Sequence, residues 1–197
     1  MSRKPLKIGV CGVGTVGLAT INILRDQHET LLARSGQAMV VSHVGARREH
    51  PNHDYGEALV SRDVLDVARD PDVDVLVELI GGTTVALDLI KLAIQQGKHV
   101  VTANKALIAE HGNELIAMAE AAGVQIRYEA AVAGGIPVIK VLRESLAANA
   151  VTEVAGIING TGNFILTEMS TKGRAFDDVL SEAQALGYAE ADPTFDI

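Results

Sequence analysis

The sequence predicts an α/β fold: a Rossmann-type doubly wound parallel sheet with helices on both faces, followed by the start of an α+β substrate and dimerisation domain. Three observations predict it. Short β-branched runs alternate with helical stretches over the first two thirds of the chain, the pattern of parallel strands joined by crossover helices. A glycine-rich turn, Gly12-Val13-Gly14-Thr15-Val16-Gly17, joins the first strand-like run to the first helix-like one. After Glu129 the texture changes to the small, glycine-paired segment AAVAGGIPVI. The domains are therefore expected at residues 1–130 and, incomplete, at 131–197.

The elements follow in order. KIGVCG is the first strand, and residues 15–34 carry Val16, Ala19, Ile21, Ile23, Leu24, Leu31 and Leu32 at helical spacing, one crossover helix. Ala38 to Gly45 reads as the second strand, and Pro71, between Asp70 and Asp72, marks the turn into a buried strand from Val73 to Ile80. Val85, Leu89, Leu92 and Ala93 predict a helix closed by Gly97. His99 to Thr102 is a strand, Glu114 to Ala122 a helix stopped by Gly123, and Val124 to Tyr128 a strand. In the second domain the pattern predicts a helix over 138–148, a strand over 152–158, and helices over 161–171 and 176–186.

Composition removes several function classes. The chain of 197 residues has a formal charge of −8 and no Trp, which disfavours nucleic-acid binding, since that needs a basic face and stacking platforms. Its single cysteine, Cys11, lies in the first strand, so neither a disulfide nor a cysteine-rich metal site is expected, and a reducing cytoplasm fits. The N-terminal residues lack the length and apolarity of a signal peptide, and apolar runs are broken by charge before reaching a membrane span. His50, His53 and Asp54 have metal-ligand types, but the surrounding HPNHDYG is turn-rich and reads as a solvated loop.

The chemistry gathers at strand ends. In Gly12-x-Gly14-x-x-Gly17 each glycine has a steric task, and the helix amides that follow, with Thr15 and Val16 in the first turn, can hold a pyrophosphate. NAD-binding units place an acidic residue after the second strand to hold the ribose; here that strand ends Gly45-Ala46-Arg47-Arg48. A guanidinium suits a 2'-phosphate, so Arg47 points to NADP, with NAD as the alternative, while a solvated arginine loop is the bland reading. Gly81 and Thr83, in ELIGGTT, end the next strand at the same edge, where backbone can approach the nicotinamide side; a plain strand-to-helix turn, with Thr83 only a cap, is the bland reading. Lys105 lies just beyond the 99–102 strand. An ammonium there can stabilise an alkoxide and donate its proton, or it is a surface lysine opening a helix. The turn Asn159-Gly160-Thr161-Gly162-Asn163 precedes a helix and can hold a carboxylate, although Asn159 or Thr161 can equally be a simple cap.

Taken together, GVGTVG, ELIGGTT, VVTANKALIA, YEAAVAGGIPVI, GIINGTGNFIL and LGYAEADPTFDI, in this order, resemble homoserine dehydrogenase over essentially the whole chain. The resemblance implies reversible reduction of L-aspartate 4-semialdehyde to L-homoserine by NADPH or NADH, in a homodimer serving threonine, methionine and isoleucine biosynthesis. It implies that Lys105 transfers a proton and orients substrate. Gly160, Thr161, Tyr188, Glu190 and Asp196 would line the amino-acid site, with Glu190 receiving the ammonium. A sodium ion would be held at Glu129, Val132, Gly134 and Ile136. Two departures stand out. Gly162 occupies a position where the family usually carries a side chain, and the family's later catalytic Asp and second Lys lie beyond Ile197, so a fragment or a short form is expected. A non-catalytic NADP(H)-binding module is the alternative of a different class. An acylating semialdehyde dehydrogenase fails, because Cys11 is placed in a strand rather than a cleft.

Overall fold

The computed structural model describes residues 3–157 and 159–189. They form two compact units, the first running to Ser145 and the second beginning at Leu146.

The first unit is a parallel sheet of six strands: β1 (Leu6–Cys11), β2 (Met39–Gly45), β3 (Leu59–Ser61), β4 (Val75–Glu78), β5 (His99–Thr102) and β6 (Ile126–Arg127), in the order β3-β2-β1-β4-β5-β6. All five pairings are parallel. Alternation along the strands sends side chains to two cores. Ile8, Val10, Val44 and Val77 face one cluster with Ile21, while Cys11, Leu76 and Val100 face a second with Val67, Leu89 and Leu115. A sheet buried on both faces needs helices on both. These are α1 (Thr15–Asp26), α2 (His28–Ser35), α3 (Val64–Arg69), α4 (Val85–Gln95) and α5 (Lys105–Ala121).

Helix starts are encoded locally. Asp63 caps α3 by accepting from Leu65 N at 2.9 Å, and Asn104 caps α5 by accepting from Leu107 N at 3.1 Å. α4 buries Leu89, Ile90 and Ile94, each worth about 1.5–3 kcal/mol relative to exposure.

The expected crossover helix over 15–34 is two helices broken at Gln27, which ends α1 and caps α2. Its apolar positions do not share one face: Ile21 is buried, while Val16, Ile23 and Leu32 are exposed. β3 and α3, in the stretch between the second strand and Pro71, carried no expectation. α5 begins at Lys105 rather than Glu114, because the Asn104 cap fixes its start.

The first unit closes with a 3-10 turn (Glu129–Ala131), α6 (Val138–Lys140) and a π-helical turn (Val141–Ser145). The helix expected to reach residue 148 thus ends at Ser145.

In the second unit, α7 (Gly160–Lys172) and α8 (Phe176–Ala185) pack together through buried Ile165, Val179 and Ala183. Residues 152–157 form no strand. Val154 and Ile157 are 65% and 78% exposed, and among the described residues no strand lies alongside to pair with this segment, which leaves it too little to gain by forming one. Position 158, which ends that expected strand, lies outside the described residues. No described helix is long and apolar enough to cross a membrane.

Candidate active site

The turn between β1 and α1 is built by steric exclusion. Gly12 has φ +96°, and a Cβ there would lie 2.5 Å from the Leu79 carbonyl oxygen, so only glycine lets the β1 turn pass the end of β4. A Cβ on Gly17 would sit 1.9 Å from the Gly12 carbonyl oxygen, so α1 packs directly on the turn. Gly14 differs: a Cβ there meets nothing within 4 Å. It borders open space at the α1 N-terminus, which no side chain caps and whose first turn holds no acidic residue. Uncapped amides and the positive end of the helix dipole, aimed into open space, fit a pyrophosphate.

Around this turn lies a cleft of about 590 Å³, of ordinary size for a small-molecule site. It brings together Gly12, Gly14, Arg47, Arg62 and Gly81 from the ends of β1, β2, β3 and β4. Thr15 and Val16 are exposed in the first turn of α1, Thr83 is half-buried beyond Gly82, and Arg47 is exposed. Arg62 went unnoticed in the sequence. Its guanidinium donates to the carbonyls of Ala46 and Arg48 at 3.1 and 2.9 Å and meets Glu49 at 2.9 Å, so it braces the loop that carries Arg47. No sequence signal marked it, because β3, three residues long, is too short to show a period.

At the β4 and β5 ends, Lys105 is the exposed first residue of α5, directly after Asn104. The Asn104 amide donates to the Gly82 carbonyl at 2.7 Å, which ties the Lys105 helix to the Gly81-Gly82 turn.

Glu129 is half-buried, and its two carboxylate oxygens accept from Ile139 N at 3.1 Å and Lys140 N at 3.0 Å, so it caps α6. Val132 N donates to the Glu129 carbonyl at 3.2 Å, and Ile136 N to the Ala133 carbonyl at 3.1 Å, folding residues 129–136 around Gly134. In the second unit, Asn159 is the cap of α7, accepting from Gly162 N at 2.6 Å. Gly160 opens that helix. Thr161 is buried and donates to the Tyr188 carbonyl at 2.5 Å, and the Tyr188 ring meets Phe164 edge-on at 5.2 Å. Glu190 and Asp196 lie outside the described residues. The His50 and His53 rings stack at 4.7 Å, while Asp54 engages Arg25 and Gly56 N. Among the described residues no group of three potential metal ligands forms.

The strand order, with this glycine turn at its centre, defines a dinucleotide-binding domain of the dehydrogenase type. The family model described as homoserine dehydrogenase, NAD binding domain, matches residues 12–129, and the model for homoserine dehydrogenase matches residues 137–197. The chain belongs to the homoserine dehydrogenase family, and its first domain binds a nicotinamide dinucleotide. It is 59% identical over 194 residues to the homoserine dehydrogenase of Pseudomonas aeruginosa, and 53% identical over 195 residues to that of Neisseria gonorrhoeae, covering 98% of this chain each time. The crystal structure of a homoserine dehydrogenase from Thiobacillus denitrificans superposes with a TM-score of 0.90 at 53% identity, over 98% of this chain and 45% of that one. A hyperthermophilic archaeal homoserine dehydrogenase in complex with NADPH superposes with a TM-score of 0.82 at 27% identity, over 98% of this chain and 65% of that one. The chain spans 45% of the length of the two curated relatives.

Proposed function

We propose that this chain is the coenzyme-binding and proton-transferring part of an enzyme that reduces L-aspartate 4-semialdehyde to L-homoserine with NADPH, in the biosynthesis of threonine, methionine and isoleucine. The observation that carries the reading is Lys105 at the N-terminus of α5, tied through Asn104 to the turn after β4. In the order β3-β2-β1-β4, a dinucleotide whose pyrophosphate lies at the β1 turn places one nucleoside toward β2 and the other over β4. The bound coenzyme supplies the hydride. Lys105 then faces the charge that grows on the carbonyl oxygen, stabilises it and donates the proton that makes the hydroxyl.

Arg47 supports NADP over NAD, because it stands in the same cleft as the glycine turn and at the end of β2. Gly12, Gly14, Thr15, Val16 and Gly17 would hold the pyrophosphate in this reading, and Gly81 and Thr83 would serve the nicotinamide side. The amino-acid end of the substrate falls to Gly160, Thr161, Tyr188, Glu190 and Asp196. Glu129, with the carbonyls of Val132, Gly134 and Ile136, offers only hard oxygen donors, a set that fits sodium. We also propose that the complete enzyme is a homodimer.

The test is NADPH oxidation with L-aspartate 4-semialdehyde by the intact protein and by Lys105→Ala. Turnover is expected to fall by orders of magnitude in the variant, with coenzyme affinity within twofold of the parent. Normal turnover in the variant would remove Lys105 from the chemistry.

A further inference from the structure

We propose that Glu78, Thr102 and Asn104 form a buried clamp that locks the turn under the nicotinamide to the helix bearing Lys105, with Glu78 as its anchoring carboxylate and a positioning residue for the reaction. The inference rests on the reading of Lys105 above and names what holds that residue in place.

Glu78 ends β4 after Val75-Leu76-Val77 and is completely buried, as is Thr102 at the end of β5; Asn104 is 7% exposed. One Glu78 oxygen, Oε1, accepts from Ile80 N at 2.8 Å and Gly81 N at 3.0 Å. The other, Oε2, accepts from the Thr102 hydroxyl at 2.5 Å. The Thr102 oxygen in turn accepts from Asn104 N at 3.0 Å. Asn104 then donates its side-chain amide to the Gly82 carbonyl and accepts from Leu107 N.

Followed round, the bonds close a ring: from Glu78 through the turn to Gly82, across to Asn104, back by Thr102 to Glu78. Every donor in the ring has an acceptor, and the carboxylate receives three donors. Gly81 and Gly82 take φ +76° and +74°, a turn with little stiffness of its own, so the carboxylate supplies the rigidity. An apolar residue at the end of an otherwise apolar strand would pack there without desolvating a charge. A charge kept in that position serves placement, and what it places are the two backbone segments bordering the reacting end of the coenzyme. A shift of about 1 Å at such a site costs about 100-fold in rate.

Thr102→Val keeps the volume and removes the hydroxyl, leaving Glu78 Oε2 and Asn104 N unpartnered. Thr102→Ser keeps the hydroxyl. Glu78→Gln puts donors where only acceptors fit. In the intact protein, affinity for NADPH is compared with that for 2'-phospho-ADP-ribose, which lacks the nicotinamide ring, and kcat is measured alongside. Thr102→Val and Glu78→Gln are expected to weaken NADPH about tenfold and to leave the ring-less ligand within twofold. They are also expected to lower kcat by about 10–100-fold, and Thr102→Ser to restore both. Equal weakening of both ligands, or no change in either, would overturn the clamp. Should Lys105→Ala retain turnover while Thr102→Val still loses the nicotinamide-dependent affinity, the role of Lys105 fails and the clamp stands.

Discussion

Gly14 and Gly17 share a motif and have opposite constraints. Gly17 is held by the protein itself, since a methyl group there would overlap the Gly12 carbonyl. Gly17→Ala is therefore expected to lower stability by about 1–3 kcal/mol, visible as a drop in Tm without any ligand. Gly14 faces open space, so Gly14→Ala is expected to leave the Tm of the free protein unchanged and to abolish most coenzyme binding by calorimetry. If both variants melt alike and bind alike, the steric division between the two glycines is wrong. Arg47 belongs to the same scale. The bond proposed from Arg47 to a 2'-phosphate would be charge-assisted and worth about 1.5–3 kcal/mol, so Arg47→Ala should weaken NADPH at least tenfold and NADH hardly at all. An equal effect on both coenzymes would dissociate Arg47 from the 2'-phosphate.

Between elements, a buried polar joint away from the cleft lies at the C-terminus of α3. Asp70 accepts from Asp72 N at 2.9 Å and from His43 Nδ1 at 2.7 Å, while the other ring nitrogen of His43 meets Ser61 at 2.8 Å. Burial alone would raise the Asp70 carboxyl. The Asp72 amide, His43 and Lys98 outweigh it and hold the group below its ordinary value of 3.8. A carboxyl depressed by folding stabilises the protein fully above its unfolded value, and that contribution disappears as pH falls through the lower folded value. Asp70→Asn should thus cost about 1.5–3 kcal/mol at neutral pH, and the gap to the parent should close in strong acid. Denaturant melts at several pH values check it; a gap independent of pH would show that the charge is immaterial.

Most of the elements flanking the cleft were legible because strand and helix periods alternate cleanly there. β3 and α3 were not, since three and six residues are too few to establish a period. Arg62 was hidden with them: its place beside Arg47 follows from strand order rather than proximity in sequence. The Glu78–Thr102–Asn104 clamp left one trace, a carboxylate ending an apolar strand, but pairing it with residues more than twenty positions away required the β4–β5 register.

At the scale of the whole first unit, the sheet joins strands far apart in the chain, and its central strand is the first one made. β1 lies between β2 and β4, and its Ile8–Cys11 stretch pairs with Val75–Glu78. On the ribosome, β1 leaves the exit tunnel with no partner on that side until β4 has followed it. At about 5–20 residues per second the interval is roughly 3–13 s. Throughout it the newborn chain shows an apolar strand edge of the kind that chaperones capture and that neighbouring nascent chains can zip onto.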